Sequence, residues 1–234
     1  MVKNIRWHIC LMLLFPVLIN GCVSVNENLS GEEGQNAQQE LVDAAAVAVR
    51  VMCGDADNRS LAVLIANARG ILIYPRIFRA GVLFGGEGGK GVLLARGADG
   101  KWGNPAFYAM GGGSVGLQIG MQRASLIMVL MNDRVLESAI RTGVTLGADA
   151  SFAIGSEGAG LTADSQNVHK DIYCFSNTDG LYAGVSLEGR IINTDHPANR
   201  RYYGEDANPE GILLKNSFDN PGAIVLRDTL NTLQ

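Results

Sequence analysis

The chain has 234 residues, 47% of them apolar and 18% charged. That is enough for one domain with a full core plus a tail, and too apolar for a disordered chain. A formal charge of −4 argues against duplex nucleic acid as a partner, because that binding rests on neutralising phosphates.

Lys3 and Arg6 precede an apolar run from Ile9 to Ile19, broken by Pro16. At about 11 residues the run is too short to span a bilayer, which takes ~20, and it fits the central region of an export signal. Ile19-Asn20-Gly21-Cys22 resembles a lipobox, which implies cleavage before Cys22 and lipid attachment to it. Residues 1–21 then read as a signal peptide, 22–36 as the lipidated Cys with a polar tether, and 37–234 as the folded domain. Losing 1–21 removes two of the 19 basic residues and none of the 23 acids, so the remainder carries −6. The expected location is the cell envelope of a bacterium. Val23 stands where an inner-membrane retention Asp is often found, which favours an outer membrane, facing the periplasm.

Ala37 to Met52 lacks Gly and Pro and places Leu41, Ala44, Ala45, Ala48 and Met52 on one helical face. Ser60 to Arg69 reads as a second helix, closed by Gly70. Glycine then dominates. Nineteen of the 30 glycines lie between Gly81 and Gly160, too dense for helices and without a Gly-X-Y period, which leaves short strands, turns and bulges. Ile71 to Tyr74 is a strand stopped by Pro75. Gly81–Phe84 and Gly91–Arg96 flank the Gly85–Gly89 segment, and Asp99-Gly100 makes a hairpin turn. Ala106–Met110 and Val115–Ile119 flank Gly111–Gly113. Ser125 to Met131 is apolar throughout, as in a strand buried on both faces. Asp133 to Arg141 is helical, Val144 to Ile154 is strand, and Ile172–Ser176 pairs with Leu181–Leu187. Pro209 and Pro221 each follow an Asn and open short helices at 209–215 and 221–232. Hairpins without βαβ alternation give an α+β fold: a curved or barrel-like antiparallel sheet flanked by N-terminal and C-terminal helices.

The motifs between residues 60 and 204 resemble, in order, those of the SYLF domain family. They include Ala68-Arg69-Gly70-Ile71-Leu72-Ile73-Tyr74-Pro75, Phe84-Gly85-Gly86-Glu87-Gly88-Gly89-Lys90-Gly91, Asp99-Gly100-Lys101-Trp102 and Pro105-Ala106-Phe107. Gly116-Leu117-Gln118-Ile119-Gly120, Leu146-Gly147-Ala148-Asp149-Ala150-Ser151, Gly180-Leu181-Tyr182-Ala183-Gly184 and Asn199-Arg200-Arg201-Tyr202-Tyr203-Gly204 complete the set. Two places depart from the pattern. Gly103 and Asn104 stand where it has Ser-Ala, and Gly155-Ser156-Glu157-Gly158 replaces Gly-Pro-x-Gly. The resemblance implies a lipid-binding or actin-regulating domain without enzyme activity or cofactor. The 37–52 helix carries one basic residue, Arg50, against Glu40 and Asp43, so phosphoinositide selectivity is not expected. Actin is not expected either, since an exported bacterial protein meets none.

Two Gly-x-Gly-x-x-Gly runs, at 86–91 and 111–116, match the dinucleotide pattern but lack the helix that should follow. Gly112-Gly113-Ser114-Val115-Gly116 matches a nucleophile elbow, and a serine hydrolase using Ser114 is the less favoured alternative. A structural or protein-interaction module is the nearer one. Two histidines 27 residues apart after Cys22, His169 and His196, make no metal site. From Arg69 to Lys101 there are six basic residues against Glu87 and Asp99. Arg76, Arg79, Lys90, Arg96 and Lys101, beside a glycine loop with free amides, are therefore the expected contacts for anionic phospholipid headgroups. Cys53 and Cys174 either pair, closing a loop of about 120 residues, or stay as separate buried thiols.

Overall fold

A computed structural model describes residues 31–55, 59–81, 84–115, 122–155, 170–177 and 187–233. Cys22 and the signal segment lie outside these residues, as do positions 116–119 and 181–186 of two expected strands. Helix α1 spans Gly31–Gly54 and α2 Arg59–Asn67. Four strands follow: β1 Gly70–Gly81, β2 Phe84–Ala95, β3 Ala106–Val115 and β4 Gln122–Leu130. Then come α3 Asp133–Arg141, β5 Val144–Thr145, β6 Phe152–Gly155, β7 Ile172–Ser176 and β8 Ile191–Thr194. The C-terminal part holds α4 His196–Tyr203, α5 Pro209–Leu213, a 3₁₀ turn Pro221–Ala223 and α6 Ile224–Asn231. Asn208 and Asn220 cap their proline-led turns, accepting from Gly211 N at 2.8 Å and Gly222 N at 2.9 Å.

The eight strands form one sheet in the order β5-β8-β3-β2-β1-β4-β7-β6, antiparallel except for β6 beside β7. Curling follows from chain length. β5 and β6 occupy opposite edges, yet only residues 146–151 join them. Such a link reaches about 24 Å at full extension, whereas seven flat strand spacings would need about 34 Å. The fold is thus α+β with a curled, half-barrel sheet.

Both faces of the central strands are buried. Leu72, Tyr74, Leu93, Tyr108, Met128 and Cys174 face α3 and α5. Ile71, Ile73, Val92, Phe107, Ile127 and Phe175 face α1, α2, α4 and α6. This two-sided burial is why Ser125–Met131 carries no alternation.

Several expectations are corrected. Pro75 does not stop β1. The strand runs through it with a register shift against both neighbours, and the extra residue puts Leu72, Tyr74 and Ile77 on one face. A bulge is where a strand tolerates a residue without an N–H. Gly85–Gly89 and Gly111–Gly113 are not loops; they lie inside β2 and β3 and pair with one another, Gly86 with Gly113 and Gly88 with Gly111. Gly70 starts β1 instead of capping α2. Val144–Ile154 is two short strands on opposite edges, and β7 pairs with β4 and β6. Helix α1 begins at Gly31, so residues 31–36 of the expected tether are helical.

Cys53 and Cys174 are both free thiols. Cys53 packs from α1 against the cluster on the α1 face, while Cys174 belongs to the cluster on the α3 face. The sheet stands between them, so no bridge forms. Burial pushes the Cys53 thiol up to about 11 and Cys174 to about 12.

Candidate functional site: an open part of the sheet

Helices cover the α1 face only in part. Past the bulge, Ile77 points to the α3 side, so Arg76 and Phe78 turn to the α1 side. Alternation along β2, β3 and β8 sends Lys90, Ala109 and Asn193 the same way, because Leu93, Met110 and Ile192 are on the other face. Register then defines two rows across four strands. One row is Arg76, Lys90, Ala109 and Asn193; the next is Phe78, Gly88, Gly111 and Ile191.

The second row is a shallow trough. Phe78 and Ile191 stand at its ends, 44% and 49% exposed, about 14 Å apart by strand spacing. Between them the two glycines present no side chain, and a β-carbon on Gly111 would meet nothing within 4 Å. The first row supplies charge. Arg76 is exposed, and Lys90 stays 64% exposed while its ammonium lies 3.3 Å from Asp195. Arg76 also borders a groove of about 400 Å³, lined by Val47 and Val51 of α1. Those valines are 51% and 59% exposed. Cations and exposed apolar side chains are therefore adjacent on one surface, an arrangement suited to a boundary between charged and apolar groups.

The five basic residues expected to act together do not all meet. Arg79 places its backbone in β1 opposite Glu87, next to this surface. Arg96 is at the far end of β2 and serves the fold. It donates to the carbonyls of Ala68 at 3.0 Å, Gly100 at 2.8 Å and Ile65 at 2.6 Å, and its guanidinium lies 4.5 Å over Trp102. Lys101 is exposed beside that hairpin turn. The expected anion cradle of glycine amides is corrected as well: β2 lies between β1 and β3, so its amides serve the two ladders. No local pattern marks Phe78, Ile191, Val47 or Val51: register puts Phe78 and Ile191 on the face that carries Arg76, and the packing of α1 brings Val47 and Val51 to the Arg76 groove.

The other motifs resolve locally. Ser114 lies within β3, paired with Gly85, where an elbow would need a strand-to-helix turn. Gly86–Gly91 lies within one strand, where the dinucleotide pattern needs a strand-to-helix turn. The closing motif has a structural role. Asn199 is fully buried; its Oδ1 accepts from Phe107 N at 2.8 Å and its Nδ2 donates to Phe107 O at 3.1 Å. Tyr202 meets Phe107 edge-on at 5.1 Å.

Residues 111–233 match the family described as Ysc84, Las17-binding protein actin regulator, and the chain belongs to that family. It is 33% identical over 153 residues to the human SH3 domain-containing YSC84-like protein 1, covering 64% of this chain and 44% of that protein. Protein YSC84 of Saccharomyces cerevisiae is 33% identical over 155 residues, and LAS seventeen-binding protein 3 of the same species is 34% identical over 155; each match covers 64% of this chain and 33% of the relative. The chain thus matches between a third and a half of the length of these relatives. They carry names of binding and regulatory proteins, not of enzymes. The expectation that actin plays no part is overturned, because the family's own description is of actin regulators.

Proposed function

We propose that this chain is an exported lipoprotein, acylated on Cys22, whose domain binds anionic phospholipid without catalysis. The reading is carried by one observation: the Arg76–Lys90 row lies directly beside the Phe78–Gly88–Gly111–Ile191 trough. Headgroup phosphate meets the cations, while the trough and the Val47–Val51 groove take apolar surface. Each basic group near an anionic surface contributes about 1 kcal/mol, and an acyl anchor about 0.8 kcal/mol per buried CH₂. The anchor therefore masks the domain's own contact in the intact protein. A chain beginning at residue 23 should co-sediment with anionic vesicles and much less with zwitterionic ones. Equal binding to both would defeat the headgroup assignment.

The relatives' names favour a second reading, in which the same surface docks a protein of the actin-regulatory kind. A change in actin assembly kinetics on adding the chain, with no vesicle binding, would put that reading in first place.

A further inference from the structure

The groove beside Arg76 has a polar side and an apolar side. Ile127 and Phe175 face α1, so alternation puts Ser125 and Asn177, each two residues away, on that face as well. Ser125 Oγ donates to the Pro75 carbonyl at 2.9 Å, and Ser125 N donates to Asn177 Oδ1 at 2.8 Å. These bonds continue the Arg76 row over β4 to the end of β7. They also engage the Asn177 carbonyl oxygen and leave its Nδ2 as a donor. Arg76 is exposed and is the one charged residue among the described lining.

Helix α1 stands opposite this row. Ala44 is half-buried and Ala48 buried, whereas Val47 and Val51 are exposed. The alanines therefore form the bottom of a furrow and the valines its lip. Volume limits what fits: at roughly 30 Å³ for a group the size of a water molecule, about 400 Å³ takes roughly a dozen methylenes, which is one alkyl chain and not two. A peptide fits poorly, because β1 and β4 are interior strands and its own N–H and C=O groups would be buried without ladder partners. A single cation calls for a single negative charge.

We propose that this groove seats one acyl chain of an anionic phospholipid, with its phosphodiester on Arg76 and Asn177 Nδ2 and its second chain left in the bilayer. This rests on the phospholipid reading above and adds to it a seat for one lipid molecule.

The chain beginning at residue 23 keeps the compact unit Gly31–Gln234 whole and serves for the test. Its ¹⁵N-labelled form is titrated with dodecanoyl lysophosphatidylglycerol below its aggregation concentration, following the backbone amides of Ala44, Ala48, Arg76 and Asn177 by NMR. Saturable movement of these amides is expected. Ala44→Leu keeps a good helix former and should weaken binding roughly tenfold, since three carbons take space the chain would use. Arg76→Gln should weaken it about fivefold at low salt; at an exposed position it keeps the test decisive if Ala44→Leu fails to fold. The zwitterionic choline counterpart should also bind more weakly. No saturable movement, while the parent still pellets with anionic vesicles, overturns the seat and leaves the surface reading standing; neither movement nor pelleting overturns both. Undiminished binding by Arg76→Gln, or equal binding of the choline lipid, overturns the headgroup contact and with it the proposal. Dodecanoate binding as tightly as the phospholipid assigns the groove to free fatty acids, and movement on raising protein concentration alone assigns it to a second copy of the chain; either result overturns the proposal.

Discussion

Asn199→Ala tests why the Asn199–Gly204 motif is there. The Asn199 side chain acts as a strand partner for Phe107, accepting from its N–H and donating to its C=O. The Phe107 carbonyl keeps a second donor, Asp195 N at 2.9 Å. The Phe107 N–H has no such reserve, and the site is fully buried. Truncation therefore strands one buried donor, at ~1–3 kcal/mol, and removes a net bond of about 1 kcal/mol. A loss of roughly 2–4 kcal/mol should lower the Tm of a domain this size by roughly 4–16 °C. Asn199→Asp should cost more, because it keeps the acceptor but buries a charge. Urea unfolding followed by circular dichroism measures both. Asn67→Ala, at an exposed helical position, is the control and should fall within about 0.5 kcal/mol of the parent. If Asn199→Ala matches that control, the motif's role is not this hydrogen bonding.

Gly91→Ala should destabilise by about 1–3 kcal/mol, because a β-carbon there would press on the Ile73 carbonyl and sit 2.6 Å from the Tyr74 ring; thermal melting reads it. Asp171 accepts from Asn132, Arg134 and Ser151. Although burial opposes ionisation, these bonds hold its carboxyl well below the usual carboxylate range. Its stabilisation is then present above about pH 4 and lost as pH falls further, so Asp171→Asn should be destabilised at pH 7 and converge on the parent in acid. In the folded protein, Cys53 should alkylate slowly at pH 8 and Cys174 only on unfolding; a Cys53–Cys174 bridged peptide in a non-reducing digest would contradict the placement on opposite faces. Labelling of cells with a fatty-acid analogue should mark the parent and not Cys22→Ser, and equal labelling would remove the lipoprotein reading.

What the sequence makes legible is mostly local. The Asn-Pro pairs at 208–209 and 220–221 announce helix starts by short-range hydrogen bonding. The apolar run at Ser125–Met131 announces a doubly buried strand. Glycine propensity misleads at Gly85–Gly89 and Gly111–Gly113, because pairing between β2 and β3 decides there, and that pairing is non-local. Pro75 hides a strand for a related reason: only the bulge between three strands lets β1 pass through it. The cationic half of the candidate surface is visible as the Arg69–Lys101 excess. Its apolar half is not, since Phe78 and Ile191 are separated by more than a hundred residues and share one row only through the register of four strands. Arg96 cannot be told from Arg76 by sequence; one donates to three carbonyls and the other reaches solvent.

The most direct test of the lipid reading compares the chain beginning at residue 23 with two variants, Arg76→Gln/Lys90→Gln and Phe78→Ser/Ile191→Ser, on anionic vesicles. Two basic contacts at about 1 kcal/mol each amount to roughly thirtyfold in affinity at low salt. The first variant should lose that factor, and the parent's advantage should shrink as salt screens exposed charges over roughly 8–10 Å. The second variant should bind more weakly at all salt concentrations. Both variants binding as tightly as the parent would contradict the assignment of this surface to phospholipid.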